Sequence, residues 1–208
     1  MKKYVMKRRM AVVFAVAASI ALVGCMGKVK YPTYYTLNLP PAPDPPPQEG
    51  SRASLAIREF RSPSYLRQGP IVYRTSPEQI GFYEYHRWAV DPRELVTNAV
   101  ADHLRARGNY AQVRMYDGHS DVDYVLSGRL EKLEELDYDG GVKVEVAIST
   151  QMTRVATGET VWTNEVSEVG TVAERNVPAV VSEMDRTLDR AIEKLLIPLP
   201  ASVTTKGN

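Results

Sequence analysis

Between residues 124 and 148 the chain keeps a period of two on both sides of one turn. Tyr124, Leu126, Gly128 and Leu130 alternate with Val125, Ser127, Arg129 and Glu131. Further on, Val142, Val144, Val146 and Ile148 alternate with Lys143, Glu145 and Ser149. Successive strand side chains point to opposite faces, so this pattern lets a strand bury one face and wet the other. Asp139-Gly140-Gly141 stands between the two runs and supplies the residue types a tight hairpin turn requires. The phase slips at Leu133 and Leu136, which predicts a bulge or a strand bending away from the core.

Further strands are expected over residues 34–39, 55–60, 71–75, 80–88, 113–116 and 160–169, with Ser62-Pro63, Gly69-Pro70 and Thr157-Gly158-Glu159 as turn signals. Two helices complete the pattern. Asp91 is an N-cap followed by Pro92 at the first helical position, and Leu95, Val96, Ala99, Val100, His103 and Leu104 recur at helical spacing before Gly108 ends the run. A second helix starts near Pro178, carries Val181, Met184, Leu188, Ile192 and Leu195 on one face, and stops at Pro198 and Pro200. Hairpin-connected strands imply a largely antiparallel sheet. The expected fold class is therefore α+β, with both helices packed on one face of the sheet as a two-layer sandwich.

Charge narrows the function. The 208 residues carry 26 Lys and Arg against 25 Asp and Glu, without the basic excess a nucleic-acid binder needs. One cysteine excludes an internal disulfide framework and a cysteine-cluster zinc site. The positive charge is unevenly placed, however. Lys2, Lys3, Lys7, Arg8 and Arg9 precede fourteen uncharged residues, 10–23. That run is shorter than the roughly 20 apolar residues of a bilayer-crossing helix. A basic start, a short apolar middle and small residues after it make a secretory signal peptide.

Leu22-Val23-Gly24-Cys25 resembles a bacterial lipobox, in which Cys25 would receive a diacylglycerol on its sulfur and become the first residue of the mature chain. Met26 stands where an Asp would favour retention at the inner membrane, so the expected location is the periplasmic face of the outer membrane, held by lipid. Cleavage would leave 184 residues with a net charge of −4. The expected organisation is a signal peptide over 1–24, a lipidated N-terminus with the first strand and a proline-rich loop over 25–52, an α/β domain over 53–200 and a disordered tail over 201–208. Seven of the fourteen prolines fall between Pro32 and Pro47. The run PPAPDPPP favours extended polyproline and would span roughly 25 Å, either as a spacer from the membrane or as a loop after the first strand.

Catalytic signatures are missing: there is no G-x-S-x-G, no H-E-x-x-H and no phosphate loop. Asp117, His119, Asp121 and Asp123 alternate as hard-cation ligands could, but Val122 and Gly128 occupy the sixth and twelfth places of a calcium loop, so a polar turn is the simpler reading. His86, His103 and His119 fall on a strand, a helix and a loop. Glu131, Glu134, Glu135, Asp137 and Asp139 read as the solvated side of a strand and its turn. No catalytic residue, metal site or cofactor is expected. On an aromatic strand Phe82 and Trp88 should share one face and Tyr83 and Tyr85 the other, which leaves Tyr83 and Tyr85 as either core packing or a partner surface.

Several segments together carry a family resemblance. The lipobox, Tyr34-Tyr35-Thr36-Leu37, SPSYLRQGPIVYRTS from Ser62 to Ser76, Arg87-Trp88-Ala89, DYVLSGRLEKLEELD from Asp123 to Asp137 and TGETVW from Thr157 to Trp162 resemble, in that order, the ABC-type transport auxiliary lipoproteins, the PqiC-like family. The PPAPDPPP loop and the tail beyond Pro200 depart from the pattern. The resemblance implies a non-catalytic accessory that works with an Mce-domain periplasmic protein and an ABC permease and ATPase. Such systems move lipids or other hydrophobic molecules between the inner and outer membranes. It also implies docking of the Mce channel and a homo-oligomeric ring. A different reading of the same anchor and aromatics is an envelope assembly or regulatory lipoprotein that binds a periplasmic protein machine.

Overall fold

The computed structural model describes residues 29–38, 53–118, 121–138 and 140–199. Met1–Tyr31 forms one unit and Pro32–Asn208 another, and every strand and helix among the described residues belongs to the second. The segments expected to be a signal peptide and a lipobox, the proline-rich run and residues 201–208 lie outside the described residues. Among the described residues no helix is long and apolar enough to cross a membrane.

The alternating runs form the longest ladder. Strand β6 (Tyr124–Tyr138) pairs antiparallel with β7 (Gly141–Arg154), from Tyr124 opposite Arg154 to Tyr138 opposite Gly141. The phase slip is a register shift between Leu130 and Lys132, which returns Leu133 to the core opposite Val146. Strand β8 (Thr160–Thr171) extends the antiparallel ladder on the far side of β7.

The other edge of β6 is shared. β2 (Ser54–Ile57) runs parallel to its first residues, with Leu55 opposite Tyr124, and β3 (Pro70–Ser76) runs parallel near its end, with Tyr73 opposite Glu135. A short 3-10 turn, Ser64–Arg67, lies between them. β4 (Gln79–Trp88) pairs antiparallel with β3, β1 (Thr33–Tyr35) parallel with β4, and β5 (Gln112–Met115) parallel with β2. Among the described residues the sheet is thus eight-stranded and mixed: its long ladders are antiparallel, as hairpins dictate, and its short ones are parallel. β1 and β2, on either side of the proline-rich run in the sequence, belong to one sheet.

Two expected strands are shorter than their sequences suggested. The first pairs only over Thr33–Tyr35, after which the Asn38 amide donates to Asp185 Oδ1 at 3.1 Å. The second stops at Ile57 because the Phe60 amide turns to Thr97 Oγ1, 3.0 Å away, and leaves the ladder.

Helix α1 (Pro92–Arg107) begins as its sequence requires: the Asp91 carboxylate accepts from the Arg93 amide, and Gly108 closes the helix in the left-handed conformation at φ 62°. Helix α2 (Val177–Leu196) is capped by Asn176, whose side chain accepts from the Ala179 amide. Val96, Val100 and Leu104 from α1 join Met184, Leu188 and Ile192 from α2 and Val144, Val146 and Ile148 from β7 in one core. Both helices therefore pack on the same face of the sheet, and the α+β two-layer expectation holds. Arg107, in the last turn of α1, donates to the Leu196 and Glu193 carbonyls, which the Leu199 and Ile197 amides also reach, and so ties the ends of the two helices together.

Candidate functional site

The aromatic strand β4 does not keep one phase. Its register with β3 shifts between Pro70 and Val72, so Trp88 is 5% exposed in the core while Phe82 is 37% exposed. The expectation that these two share a face is corrected by that irregularity, because each extra residue in one strand moves every later side chain to the opposite face.

Tyr83 is half-buried. Its hydroxyl donates to Glu135 Oε2 at 2.8 Å, its ring lies 5.0 Å from that of Tyr73, and it meets His86 edge-on at 5.6 Å. His86 Nδ1 and the Tyr35 hydroxyl are 3.0 Å apart, which ties β1 to β4 through side chains. Burial raises the pKa of both Tyr83 and Glu135, and their mutual hydrogen bond raises the phenol further while partly offsetting the rise at the carboxyl. Tyr85 is intermediate in exposure, and a hydrogen bond with Glu84 raises its pKa.

The acidic run 131–137 divides between the two faces of the sheet. Glu135 faces the helices with Tyr83, whereas Glu134 is fully buried on the helix-free face with Arg74 Nε 2.6 Å from its Oε1. The rest of that face is laced with pairs. Glu131 binds Arg129 and Ser149, each at 2.8 Å, and Glu145 binds Lys132 and Ser167, each at 2.9 Å. Asp137 holds Arg175 at 2.8 Å. A glycosidase needs two carboxyl groups facing one cleft; Glu134 and Glu135 point away from each other. Asp139 lies outside the described residues.

The alternating aspartates have other partners. Asp123 Oδ2 accepts from both the amide and the hydroxyl of Ser54, at 2.7 and 2.8 Å, so its main work is to fasten β2 beside β6. Those hydrogen bonds hold its carboxyl below the usual range. Asp117 lies 3.7 Å from Arg114. Among the described residues no group of three or more His, Cys, Asp or Glu is arranged to hold a metal ion. His103 bridges the two helices, with Nε2 3.3 Å from Asp189 Oδ1, though the angles do not make a hydrogen bond. His119, Leu22, Val23, Gly24 and Cys25 lie outside the described residues.

Sequence reasoning passed over three arginines. Arg58, Arg61 and Arg129 come together at a cleft of about 400 Å³ on the helix-free face. In the sequence each is an isolated basic residue in or beside a strand, with nothing to mark them as neighbours.

No curated protein matches this sequence. The solved structure of a Xanthomonas campestris protein superposes with a TM-score of 0.68 at 15% identity, covering 79% of this chain and 92% of that one. A second structure, of an uncharacterized protein, gives a TM-score of 0.62 at 15% identity, covering 79% and 95%. At this identity both likenesses show the fold alone. A PelC dodecamer from Paraburkholderia phytofirmans reaches a TM-score of only 0.40 at 19% identity, covering 70% of this chain and 90% of that one, too loose a likeness to bear on assembly here. The model of the family described as ABC-type transport auxiliary lipoprotein component matches residues 35–195. That span opens at the last residue of β1 and closes in the last turn of α2, so it takes in nearly all of the folded unit. The chain belongs to the family of ABC-type transport auxiliary lipoprotein components.

Proposed function

We propose that this protein is a non-catalytic lipoprotein accessory of an Mce-type ABC transport system that moves lipids or other hydrophobic molecules between the two membranes of the envelope. The observation that carries the reading is the family match over residues 35–195. Three features of the chain agree with it. The lipobox ending in Cys25 supplies an anchor, and several acyl chains on one cysteine hold far more firmly than the single chain that gives only reversible binding. Met26 favours the periplasmic face of the outer membrane as the place of that anchor. The buried Glu134 and Glu135 are spent on Arg74 and Tyr83, as packing requires.

In this role the folded unit docks the periplasmic Mce-domain protein, whose permease and ATPase lie in the opposite membrane. Tyr83 and Tyr85 on β4 belong to the docking surface, and a homo-oligomeric ring of the chain would match a tubular channel. Mild crosslinking in native membranes, followed by purification of the lipidated protein, should recover an Mce-domain protein. Recovery of a cell-wall synthase in its place, or of no envelope partner with the lipid intact, would sink the proposal.

A further inference from the structure

The helix-free face of the sheet is not evenly neutralised. Between β2 and β3 the connecting chain touches β6 through a parallel bridge that sets Arg61 beside Arg129. The Arg61 amide donates to the Gly128 carbonyl at 2.9 Å, and the Leu130 amide to the Arg61 carbonyl at 2.8 Å, so the two arginines are adjacent by backbone construction. Like charges at directly neighbouring strand positions cost stability. Arg129 is compensated by Glu131 at 2.8 Å. Arg61 is exposed and has no acidic partner among the described residues. Arg58 stacks its guanidinium 4.6 Å above the Tyr116 ring and likewise lacks a carboxylate there.

These three arginines line the cleft of about 400 Å³ together with one carboxylate, Glu59. Glu59 is turned to Arg93, 3.5 Å away, which Asp91 also holds at 2.9 Å. The floor is a single tier of paired positions across three strands, Ser127 opposite Gln151 and Gln151 opposite Thr163. All three side chains are polar and make no hydrogen bond among the described residues. Elsewhere on this face Lys132 is paired with Glu145 and Arg74 with Glu134, while Lys143 and the exposed Glu165 carry no ion pair among the described residues. At the cleft Arg129 alone of the three arginines has a carboxylate partner.

We propose that this cleft is a binding site for a phosphate group, held between the guanidinium groups of Arg61 and Arg129, with Arg58 at its mouth and Ser127, Gln151 and Thr163 beneath. The donor count selects phosphate over carboxylate. One arginine fork satisfies both oxygens of a carboxylate, whereas the Arg61 fork, the Arg129 N–H groups beyond the Nε that Glu131 takes and the hydroxyl and amide donors match the larger set of oxygens on a phosphoester. The volume lies within the range of about 300–1,000 Å³ typical of small-ligand sites. A soluble phosphoester and a phospholipid headgroup present the same chemistry. The inference stands on the cleft alone and does not depend on the transport role.

The test uses the lipidated full chain in nonionic detergent at constant ionic strength. Glycerol 3-phosphate, dibutyryl phosphatidylglycerol, the matching phosphate-free dibutyrylglycerol, acetate and a glutamate-rich peptide are titrated by calorimetry. Saturable binding of either phosphate compound is expected, weakened about tenfold in R61Q and in R58Q, as loss of a charge-assisted hydrogen bond implies. Arg61 and Arg58 are exposed, so both variants should melt with the wild type. Tighter binding of the phosphatidylglycerol than of glycerol 3-phosphate assigns the site to a headgroup; equal or weaker binding assigns it to a soluble ester. The proposal is overturned if neither phosphate compound saturates, if R61Q and R58Q bind as the wild type does, or if acetate or the peptide binds as tightly as the phosphates.

Discussion

Replacing Gly128 with alanine tests how tightly the chain crosses the edge of β6. A Cβ at this position would stand 2.4 Å from Phe60 Cζ, 2.5 Å from Cε2 and 2.6 Å from Cε1. The ring has little freedom to retreat. Phe60 is buried in the main core, its amide is fixed to Thr97 Oγ1, and the Arg58 and Arg61 amides on either side are bonded to Leu126 and Gly128 carbonyls at 2.9 Å. Inserting a methyl into such a core costs about 1–3 kcal/mol. Alanine also restricts the unfolded chain, which returns about 0.4–1 kcal/mol. A net loss of about 1–2 kcal/mol follows, and at about 2–4 °C per kcal/mol for a domain of this size the melting temperature should fall by roughly 2–8 °C. Urea unfolding followed by circular dichroism gives the free energy, with Phe60→Leu and the double variant closing a cycle. Phe60→Leu removes the edge of the ring, so the double variant should lose at least about 1 kcal/mol less than the two single losses together. A Gly128→Ala protein as stable as the wild type, or a cycle that closes additively, would refute the reasoning.

Arg74→Met should destabilise by about 3 kcal/mol, because it leaves the buried Glu134 carboxylate without the guanidinium 2.6 Å away. Adding Glu134→Leu should recover most of that loss in the same urea assay, and a double variant no better than the single one would show that charge burial is not the cause. Glu135→Gln tests burial on the other face. Burial raises the folded-state pKa of Glu135, so the folded protein keeps a proton that the unfolded chain has already lost. Stability therefore falls as pH climbs from the ordinary carboxylate range through the raised value. Glutamine carries no such proton yet still accepts from Tyr83, so the variant should gain on the wild type across that window and keep its gain above it. Stability curves that run parallel from about pH 4 to pH 8 would contradict this sign. Cys25→Ser should abolish metabolic labelling by fatty acid and release the protein from the membrane fraction; a labelled variant would end the lipobox assignment.

Local signals carried much of the fold. The two-residue period of 124–130 and 142–148 is met by the β6–β7 ladder, and the slip at Leu133 and Leu136 by the register shift after Leu130. Asp91, Pro92 and Gly108 stand at the ends of α1 in the roles their chemistry suggests, and Pro178 lies in the first turn of α2, whose Asn176 cap the structure adds. Tyr83 was legible as a residue of interest, but not its bond to Glu135, 52 positions away. The cleft was not legible at all. Arg58, Arg61 and Arg129 are brought together by a parallel bridge that no turn announces.

By itself, then, the sequence determined which segments are strands or helices, which faces the β6–β7 ladder and the helices bury and where the helices end, because periods, caps and turns act over a few residues. It also presented Cys25 directly behind a short apolar run. Only the tertiary structure decided that β2 and β3 would share one edge of β6, that the strands at residues 34–39 and 55–60 would stop early, and that Arg58, Arg61 and Arg129 would meet over a polar floor. The physical reason is that alternation states which side of a strand is apolar but not which strand lies beside it. Leu55 and Tyr124 become neighbours only when a compact core closes the chain between them.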